Sequence, residues 1–266
     1  MRPLTEFPAT DRSRIEVVLT DIDDTLTQNG LLPSVAYGAL ERLRSAGLIV
    51  VPITGRPAGW CDLIARLWPV DGVIGENGAF YFHYDRARQT MIRCFQKSAA
   101  ERATDRARLE SLAARILAEV PGARISADQG YRETDLAIDF AEDVPPLPRS
   151  RVDRILDLFT DAGATAKVSS IHVNGWYGAY DKLAMAERML VEIFGRKLTA
   201  DDEGVVFVGD SPNDEPMFAH LLHGVAVANF AAFADQVDAK PRWITNGSGG
   251  AGFAELANAL LESRGG

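Results

Sequence analysis

The chain alternates short β-branched runs with amphipathic segments, and this alternation constrains the fold more than any other feature. IEVVL (residues 15–19) is typical of a buried strand; a helical pattern then opens at Pro33 and Ser34 and stops at Gly47. LIVVPIT (48–54), a helix from Pro57 to about Leu67 and a short strand DGVI (71–74) continue the series. Strands that alternate with helices in this way predict a parallel sheet covered by helices on both faces.

The alternation of strands and helices returns late in the chain, after a middle segment with a different pattern. A helix over 182–194, the strands GVVFVGD, GVAVAN and RWIT, and helices from about 215 and 252 resume the alternation. Between them, strands MIRCF, ARISAD, ETDLAIDF and AKVSSIHV lie beside helices at 101–120 and 152–162, the second capped by Ser150. Strands in pairs beside helices predict an α+β insertion with an antiparallel sheet. The predicted fold class is therefore α/β, with a Rossmann-like core (1–85 and 179–266) and an inserted α+β domain (86–178).

Composition and charge exclude several classes of protein. The 266 residues are 47% hydrophobic and 24% charged, which is typical of a folded globular chain. A formal net charge of -9 and no local basic patch argue against nucleic acid as a partner. Two cysteines suit a reduced compartment, and no run is long and apolar enough for an export signal or a membrane span. We therefore expect a cytoplasmic protein, with neither a membrane nor a nucleic acid as partner.

Two acidic clusters each follow an apolar strand. Asp21, Asp23 and Asp24 come after IEVVLT, and Asp210 and Asp214 come after GVVFVG. If both strands are parallel, these carboxylates converge at one sheet edge, where open α/β sheets bind ligands. Carboxylate oxygens suit Mg²⁺, and the lack of His and Cys argues against zinc. A solvated acidic turn is the alternative for the first cluster alone.

A possible phosphate site follows a third strand. Thr54, Gly55 and Arg56 precede a helix whose N-terminus favours anions, although a simple helix cap with Pro57 in the first turn is an equal alternative. Lys182 stands at the start of an amphipathic helix, where a cation opposes the helix dipole. An anionic partner would explain that position, and a solvated lysine is the alternative.

DIDDTLT, ITGRP, Lys182 and GDSPND, in that order, resemble the four motifs of the haloacid dehalogenase superfamily of phosphotransferases. The insertion between the second and third motifs is similar to the cap of subfamily IIB, which includes Cof-type sugar phosphatases, sucrose-phosphatase and mannosyl-3-phosphoglycerate phosphatase. Many members have glycine where this chain has Asp24. This difference does not affect the roles that the resemblance implies for the other motif residues. We expect Asp24 to be either an outer ligand of the metal or a solvated turn residue.

The resemblance implies a role for each motif residue. Asp21 would be the nucleophile that forms an aspartyl-phosphate, and Asp23 the general acid and then base. The transferring phosphoryl group would be held by Thr54, Gly55 and Lys182, with Asn213 in support and Arg56 adding charge unless it forms a surface salt bridge. Mg²⁺ would be held by Asp21, Asp210 and the backbone carbonyl of Asp23, with Asp214 orienting through water or pairing with Lys182.

The last strand of the insertion could supply substrate contacts. Asn174 and Trp176 are candidates for a sugar ring, with a packed hinge aromatic as the alternative for Trp176, and His172 is expected to be structural. We expect a Mg²⁺-dependent phosphatase that acts on a small phosphorylated metabolite, and in the first place on a sugar phosphate, as a monomer or homodimer. A phosphomutase and a non-catalytic sugar-phosphate sensor are the alternatives.

Overall fold

A computed structural model describes residues 1–169 and 171–264, and it has the predicted α/β architecture. Six strands form one parallel sheet, in the order 2–3, 243–244, 223–226, 205–209, 17–20 and 49–52 from one edge to the other. In chain order these strands are β1 (Arg2–Pro3), β2 (Val17–Thr20), β3 (Ile49–Pro52), β11 (Val205–Gly209), β12 (His223–Ala226) and β13 (Trp243–Ile244). Strand β2 lies between β11 and β3, so the strands that precede three of the predicted motifs are neighbours.

Helices flank this sheet because its strands are apolar on both sides. Val17 and Leu19 are buried in one hydrophobic cluster, and Val18 between them is buried in another. The associated helices are α1 (Ala9–Arg12), α2 (Ser34–Ser45), α3 (Ala58–Leu67), α6 (Lys182–Phe194), α7 (Glu215–His220) and α8 (Gly249–Glu262). Successive residues of β2 and β11 therefore alternate between the two hydrophobic clusters, which explains the continuous hydrophobic runs in the sequence.

A three-stranded antiparallel sheet adjoins the main sheet. It consists of β4 (Val73–Gly75), β5 (Phe80–Asp85) and β6 (Thr90–Phe95), and a parallel bridge from Ile53 to Ile74 connects it to the chain after β3. The predicted boundary at residue 86 falls in the turn between β5 and β6. The division of the chain into core and cap stays a prediction.

The insertion contains a separate four-stranded antiparallel sheet in the order β7-β8-β10-β9. Its elements are α4 (Ala99–Glu119), β7 (Arg124–Ile125), β8 (Leu136–Asp139), α5 (Arg149–Asp161), β9 (Thr165–Val168) and β10 (His172–Trp176). A third hydrophobic cluster lies between this sheet and its two helices. The α+β insertion is thus present as a layer with its own core.

Two local predictions in the insertion are wrong. AKVSSIHV forms two paired strands rather than one, because the Ser169 hydroxyl accepts from the His172 amide at 2.9 Å and turns the chain. The helix α5 begins at Arg149 with Pro148 as its N-cap, so Ser150 lies inside the first turn and does not cap it. Pro148 supplies a suitable backbone angle without a side-chain acceptor.

The segment before β2 takes part in the fold, which its polar composition did not indicate. β1 pairs with β13 at the edge of the main sheet, and the buried ring of Phe7 stacks on Trp243 at 5.0 Å between centroids. Within the described ranges, no helix combines the length and the apolar character needed to cross a membrane.

Candidate active site

Three predicted motifs meet at the carboxyl edge of the parallel sheet. Asp21 follows β2, Asp210 follows β11 and Thr54 comes two residues after β3, and all three side chains are buried. They converge because parallel neighbouring strands end at the same edge. For the first acidic cluster, the alternative was a solvated turn. Asp21 is buried, so this alternative does not hold for Asp21.

Lys182 joins two of the carboxylates. Its Nζ lies 2.6 Å from Asp21 Oδ1 and 2.6 Å from Asp214 Oδ1, and the side chain is nearly inaccessible to solvent. The side chain of Asp181 caps the helix by accepting from the Ala184 amide at 2.9 Å. The position of Lys182 at a helix start suggested an anionic partner, and Asp21 and Asp214 are the observed partners.

Asp214 is fully engaged by the protein. While Oδ1 accepts from Lys182, Oδ2 accepts from the backbone amides of Asp210 at 3.1 Å and Ser211 at 3.4 Å. Both carboxylate oxygens of Asp214 thus hold the lysine and the loop after β11. The geometry favours pairing with Lys182 among the two roles expected for this residue.

Asp210 is oriented from two sides. The Thr25 hydroxyl donates to its Oδ1 at 3.1 Å, and the Asn229 side-chain amide donates to its Oδ2 at 3.3 Å. Carboxylate oxygens of Asp21, Asp210 and Asp214 all lie within 4.8 Å of one another. An all-oxygen set of this kind fits a hard divalent cation such as Mg²⁺.

The electrostatics of the cluster also fit a cation. Burial raises the pKa of Asp21 to about 8, although Lys182 opposes this rise, and Asp214 and Asp23 add to it. Burial, with Asp21 and Asp214 nearby, raises the pKa of Asp210 well above its usual range. Burial would lower the pKa of Lys182, but Asp21 and Asp214 raise it overall. One ammonium among three close carboxylates leaves excess negative charge that a divalent cation would neutralise.

Asp23 points away from this cluster and pairs with Arg56. The Arg56 Nε lies 2.9 and 3.1 Å from the two carboxylate oxygens of Asp23, and its Nη2 lies 3.0 Å from Glu142 Oε1. Arg56 is 7% exposed, whereas the side chains of Asp23 and Glu142 are 29% and 30% exposed, so the salt bridge considered from sequence is present but is partly buried in the site and does not lie on the surface. Burial would lower the pKa of Arg56, but Asp23 and Glu142 raise it overall.

The loop after β3 does not form the helix cap that was the alternative to a phosphate site. The Thr54 hydroxyl accepts from the Arg56 amide at 3.0 Å, and α3 begins at Ala58 after Pro57 without a side-chain cap. The Gly55 carbonyl accepts from Arg132 Nη1 at 2.9 Å, which ties this loop to the insertion.

A small cavity of about 30 Å³ collects most of the predicted site residues. Its lining includes Asp21, Asp23, Gly55, Arg56, His172, Asn174, Asp210 and Asn213. Such a volume holds about one or two water molecules. The side chains from the main sheet and from β10 therefore face one enclosed space.

The two predicted substrate residues of β10 separate in the structure. Asn174 lines the cavity and donates to Asp135 Oδ2 at 2.9 Å. Trp176 is 1% exposed and stacks on Tyr180 at 5.8 Å, and it is not part of the cavity wall. The packed aromatic alternative for Trp176 is the observed one. His172 also lines the cavity, with its Nε2 2.9 Å from Glu142 Oε2.

Sequence reasoning missed three residues at this site. Arg132 lies in the buried wall and pairs with Asp128 and Asp135, and the buried Glu76 connects the loop before β5 to the insertion. Asn77 is 5% exposed, lines the cavity, and its Nδ2 has no hydrogen-bond partner among the described residues. In the sequence, the ENG triplet after a predicted strand was the one signal for this position. The structure shows that Glu76 and Asn77 have φ of 43° and 56°, and such strain in residues other than glycine often marks a site.

Asp24 also adopts a left-handed conformation, with φ of 57°. This backbone position suits glycine and tolerates aspartate, which explains how the chain departs from the more usual glycine without altering the loop. Its backbone amide donates to Thr27 Oγ1 at 2.9 Å, and its carbonyl accepts from Asn229 at 3.0 Å.

Known proteins share both the sequence pattern and the fold. The sequence model of one family, described as haloacid dehalogenase-like hydrolase, matches residues 18–120. A phosphoglycolate phosphatase of Methanopyrus kandleri is 28% identical over 254 residues, which covers 92% of this chain and 97% of the relative.

Two solved structures are similar over nearly the whole chain. A sugar phosphatase of subclass IIB of the superfamily has a TM-score of 0.62 at 17% identity and covers 93% of this chain and 98% of its own. The sucrose-phosphatase of Synechocystis, solved with sucrose and phosphate, has a TM-score of 0.64 at 14% identity and covers 92% and 97%. At these identities the two structures establish the fold.

The matches agree with the resemblance that the four motifs indicated: residues 18–120 match the sequence model of the haloacid dehalogenase-like hydrolases, and the fold is that of the two solved phosphatases. A second curated relative, from Methanosarcina acetivorans, is also named a phosphoglycolate phosphatase and is 26% identical over 258 residues, which cover 95% of this chain and 99% of the relative.

Proposed function

We propose that the protein is a Mg²⁺-dependent phosphatase that hydrolyses a small phosphorylated metabolite through an aspartyl-phosphate. The observation that carries the proposal is the buried Lys182 ammonium 2.6 Å from both Asp21 and Asp214 at the end of the parallel sheet. This ammonium orients the Asp21 carboxylate and offers positive charge where a phosphoryl group would lie.

In the first proposed step an Asp21 oxygen attacks phosphorus, and the bond from phosphorus to the leaving oxygen breaks. Asp23 gives its proton to that oxygen, so the leaving group departs as an alcohol. In the second step water attacks the phosphorus of the aspartyl-phosphate and Asp23 takes the water proton. The bond to Asp21 breaks and releases inorganic phosphate.

Residues in and beside the cavity would bind the phosphoryl oxygens. Thr54, the Gly55 amide and Lys182 would supply donors, and Gly55 and Asn213 line the cavity itself. Asn77 also lines the cavity, and its side-chain amide, which has no hydrogen-bond partner among the described residues, would add a donor. Donors fixed in advance stabilise the transferring group because they need no reorganisation during the reaction.

Arg56 has a separate role in this scheme. Its contact with both oxygens of Asp23 orients that side chain for proton transfer.

The proposed Mg²⁺ site consists of Asp21, Asp210 and the backbone carbonyl of Asp23, with Asp214 positioning the lysine. When bound, the ion would neutralise charge on the transferring phosphoryl group. Buried carboxylates with raised pKa values support this assignment, because a cation would stabilise their charged forms.

Two substrate classes have support. A sugar phosphate is supported by the fold shared with a subclass IIB sugar phosphatase and with sucrose-phosphatase. 2-Phosphoglycolate is supported by the relative of that name and by the guanidinium groups of Arg56 and Arg132 at the cavity, which suit a carboxylate.

The first test is phosphate release from sugar phosphates and 2-phosphoglycolate, with Mg²⁺ and with a chelator. We expect Mg²⁺-dependent release that falls on the order of 10³-fold or more in Asp21→Asn. The matched control is Asp201→Asn, an exposed aspartate outside the cavity, which should retain the wild-type rate. Undiminished turnover in Asp21→Asn would refute the nucleophile assignment.

The same assay separates the alternatives. A phosphomutase would convert a sugar phosphate into an isomer in the presence of a bisphosphate activator and release little inorganic phosphate. A sensor would bind a sugar phosphate without turning it over.

A further inference from the structure

The guanidinium of Arg56 is held by carboxylates from two distant parts of the chain. Its Nε lies 2.9 and 3.1 Å from the two oxygens of Asp23, which belongs to the loop after β2. Its Nη2 lies 3.0 Å from Glu142 Oε1 and its Nη1 lies 3.7 Å from Asp128 Oδ2, and both of these acids belong to the insertion. Arg56 therefore connects the proposed general acid to the insertion.

One nitrogen of this guanidinium bridges two carboxylates. Nη2 lies 2.9 Å from Asp23 Oδ1 as well as 3.0 Å from Glu142 Oε1. The central carbon of the guanidinium also lies 4.6 Å from the centre of the Trp60 ring, which stacks against the group. A planar guanidinium with ion pairs along its edge and an aromatic ring on its face keeps one orientation. Loss of Glu142 would leave Nη2 with fewer acceptors and allow Arg56 to shift.

The position of Glu142 is itself fixed by the insertion. The buried carboxylate of Asp139, at the end of β8, accepts from the backbone amides of residues 141, 142 and 143 at 2.8 to 2.9 Å. Glu142 Oε2 lies 2.9 Å from Nε2 of His172, which is paired with Asp139 on the neighbouring strand β10. Contacts with His172 and with Arg56 lower the pKa of Glu142 to about 2 although partial burial opposes this, so it is a carboxylate at neutral pH.

The carboxyl of Asp23 depends on Arg56 for its position. Among the residues that the structure describes, Arg56 is the one hydrogen-bond partner of the two Asp23 carboxylate oxygens. A general acid has to reach the leaving oxygen at roughly 2.6–3.2 Å, and a displacement of about 1 Å can cost on the order of 10²-fold in rate. The geometry of proton transfer is therefore sensitive to whatever holds Arg56.

We propose that Glu142 is a positioning residue for the proposed general acid. Through Arg56 it fixes the side chain of Asp23, so that transfer of the Asp23 proton to the leaving oxygen, as the bond from phosphorus to that oxygen breaks, depends on the insertion. The proposal rests on the proposed phosphatase function and holds for either of its substrate classes, because both are alkyl phosphates whose leaving oxygen needs a proton.

The test compares phenyl phosphate with 4-nitrophenyl phosphate, which have the same ring and differ in the basicity of the leaving oxygen. Phenolate is the more basic, so its departure depends more on a proton donor. With Mg²⁺ present, kcat/KM for both esters is measured for wild type, Glu142→Ala and Glu142→Gln, and far-UV circular dichroism establishes that each variant is folded. The best alkyl phosphate and acetyl phosphate, whose leaving groups differ more widely in basicity, are compared in the same way.

Asp143→Ala is the matched control. Asp143 is the next acidic residue of the same loop, it is exposed, and its backbone amide donates to Asp139, a contact that alanine keeps. Its carboxylate forms no ion pair with Arg56. The ratio of the two kcat/KM values should therefore be that of wild type.

We expect Glu142→Ala to lower kcat/KM for phenyl phosphate about tenfold more than for 4-nitrophenyl phosphate, which is part of the roughly 10²- to 10⁴-fold that a general acid contributes. Glu142→Gln keeps an oxygen acceptor for Arg56, so its ratio should lie between those of Glu142→Ala and wild type. A loss of equal size for both esters would show that Glu142 supports only the fold, and would overturn the proposal.

A double variant shows whether Glu142 acts through Asp23. In Asp23→Asn the proton donor is absent, so the addition of Glu142→Ala should leave the ratio between the esters unchanged. A further tenfold change in that background would mean that Glu142 acts on the leaving group by another route, and the positioning role would be wrong.

Failure of the phosphatase function gives a different result. If wild type releases no more phosphate than Asp21→Asn from any of these esters, the proposed function and the role of Glu142 both fall. If release depends on Asp21 and the ratio is the same in wild type and Glu142→Ala, the positioning role alone fails.

Discussion

Glu76 connects three segments of the chain through one buried carboxylate. Its Oε1 accepts from the backbone amides of Ala58 at 3.0 Å and Glu133 at 2.9 Å. Its Oε2 accepts from the amides of Thr134 at 2.6 Å and Asp135 at 3.3 Å, and from the Thr134 hydroxyl. The carboxylate thus joins the start of α3 to the loop before β8, and its removal should loosen the contact between the main sheet and the insertion.

The contacts set the size of the effect. Glu76→Ala leaves four backbone amides without their acceptor, and each unsatisfied buried donor costs about 1–3 kcal/mol. The losses are not additive and relaxation recovers part of them, so we expect unfolding to be easier by about 3–5 kcal/mol. For a chain of this length that corresponds to a decrease in Tm of roughly 6–20 °C. Glu76→Gln keeps the shape but turns an amino group toward amide donors, and about 1–3 kcal/mol should be lost.

Urea unfolding followed by tryptophan fluorescence and by far-UV circular dichroism measures these losses. Glu119→Ala is the matched control, because Glu119 accepts from Arg115 and Arg154 at the surface. Its free energy of unfolding should match the wild type within error, since exposed ion pairs contribute little. A loss below about 1 kcal/mol in Glu76→Ala would refute the view that this carboxylate holds the insertion in place.

Three further predictions concern the site and its walls. Gly78→Ala should lower both stability and turnover, because the added Cβ would lie 1.9 Å from the Asp181 carbonyl at the start of the Lys182 helix; unfolding curves and phosphate release measure both, and wild-type values would contradict the expected clash. The affinity for Mg²⁺ should rise with pH by up to about tenfold per unit below pH 8, because the ion displaces a proton from the Asp21 carboxyl, whose pKa burial raises to about 8 despite Lys182; calorimetry in buffers of different ionisation enthalpy detects the released proton, and a pH-independent affinity would count against it. Arg132→Met should cost about 3–5 kcal/mol of unfolding free energy, as measured in urea, because Asp135 loses its ion pair and Asp128 keeps only Arg56 Nη1 at 3.7 Å; a variant as stable as wild type would contradict this expectation.

The sequence alone determined the elements that depend on local pattern. β2 and β11 end at the predicted acids, and helix α6 spans the predicted residues from Lys182 to Phe194. These predictions succeeded because the hydrophobic period of a strand or helix is written in neighbouring residues. The convergence of Asp21 and Asp210 also followed, since parallel strands place their carboxyl ends at one edge.

Other features depended on contacts between residues far apart in the chain. Arg56 faces Glu142, 86 residues away, and Glu76 accepts from Thr134, 58 residues away. A buried charge requires a partner, but local sequence does not specify which segment supplies it. Only the docking of the insertion on the main sheet decides these pairs.

The placement of the aromatic residues shows the same division. Trp176 and Trp60 are both tryptophans beside predicted motifs, yet the first is buried against Tyr180 and the second is exposed next to Arg56. The pattern of a strand or helix predicts on which face of the element a side chain lies. Whether that face is buried depends on the layer that packs against it. The sequence by itself therefore determined the sheet, its motifs and the edge where they meet, whereas the tertiary structure decided which side chains enclose that edge.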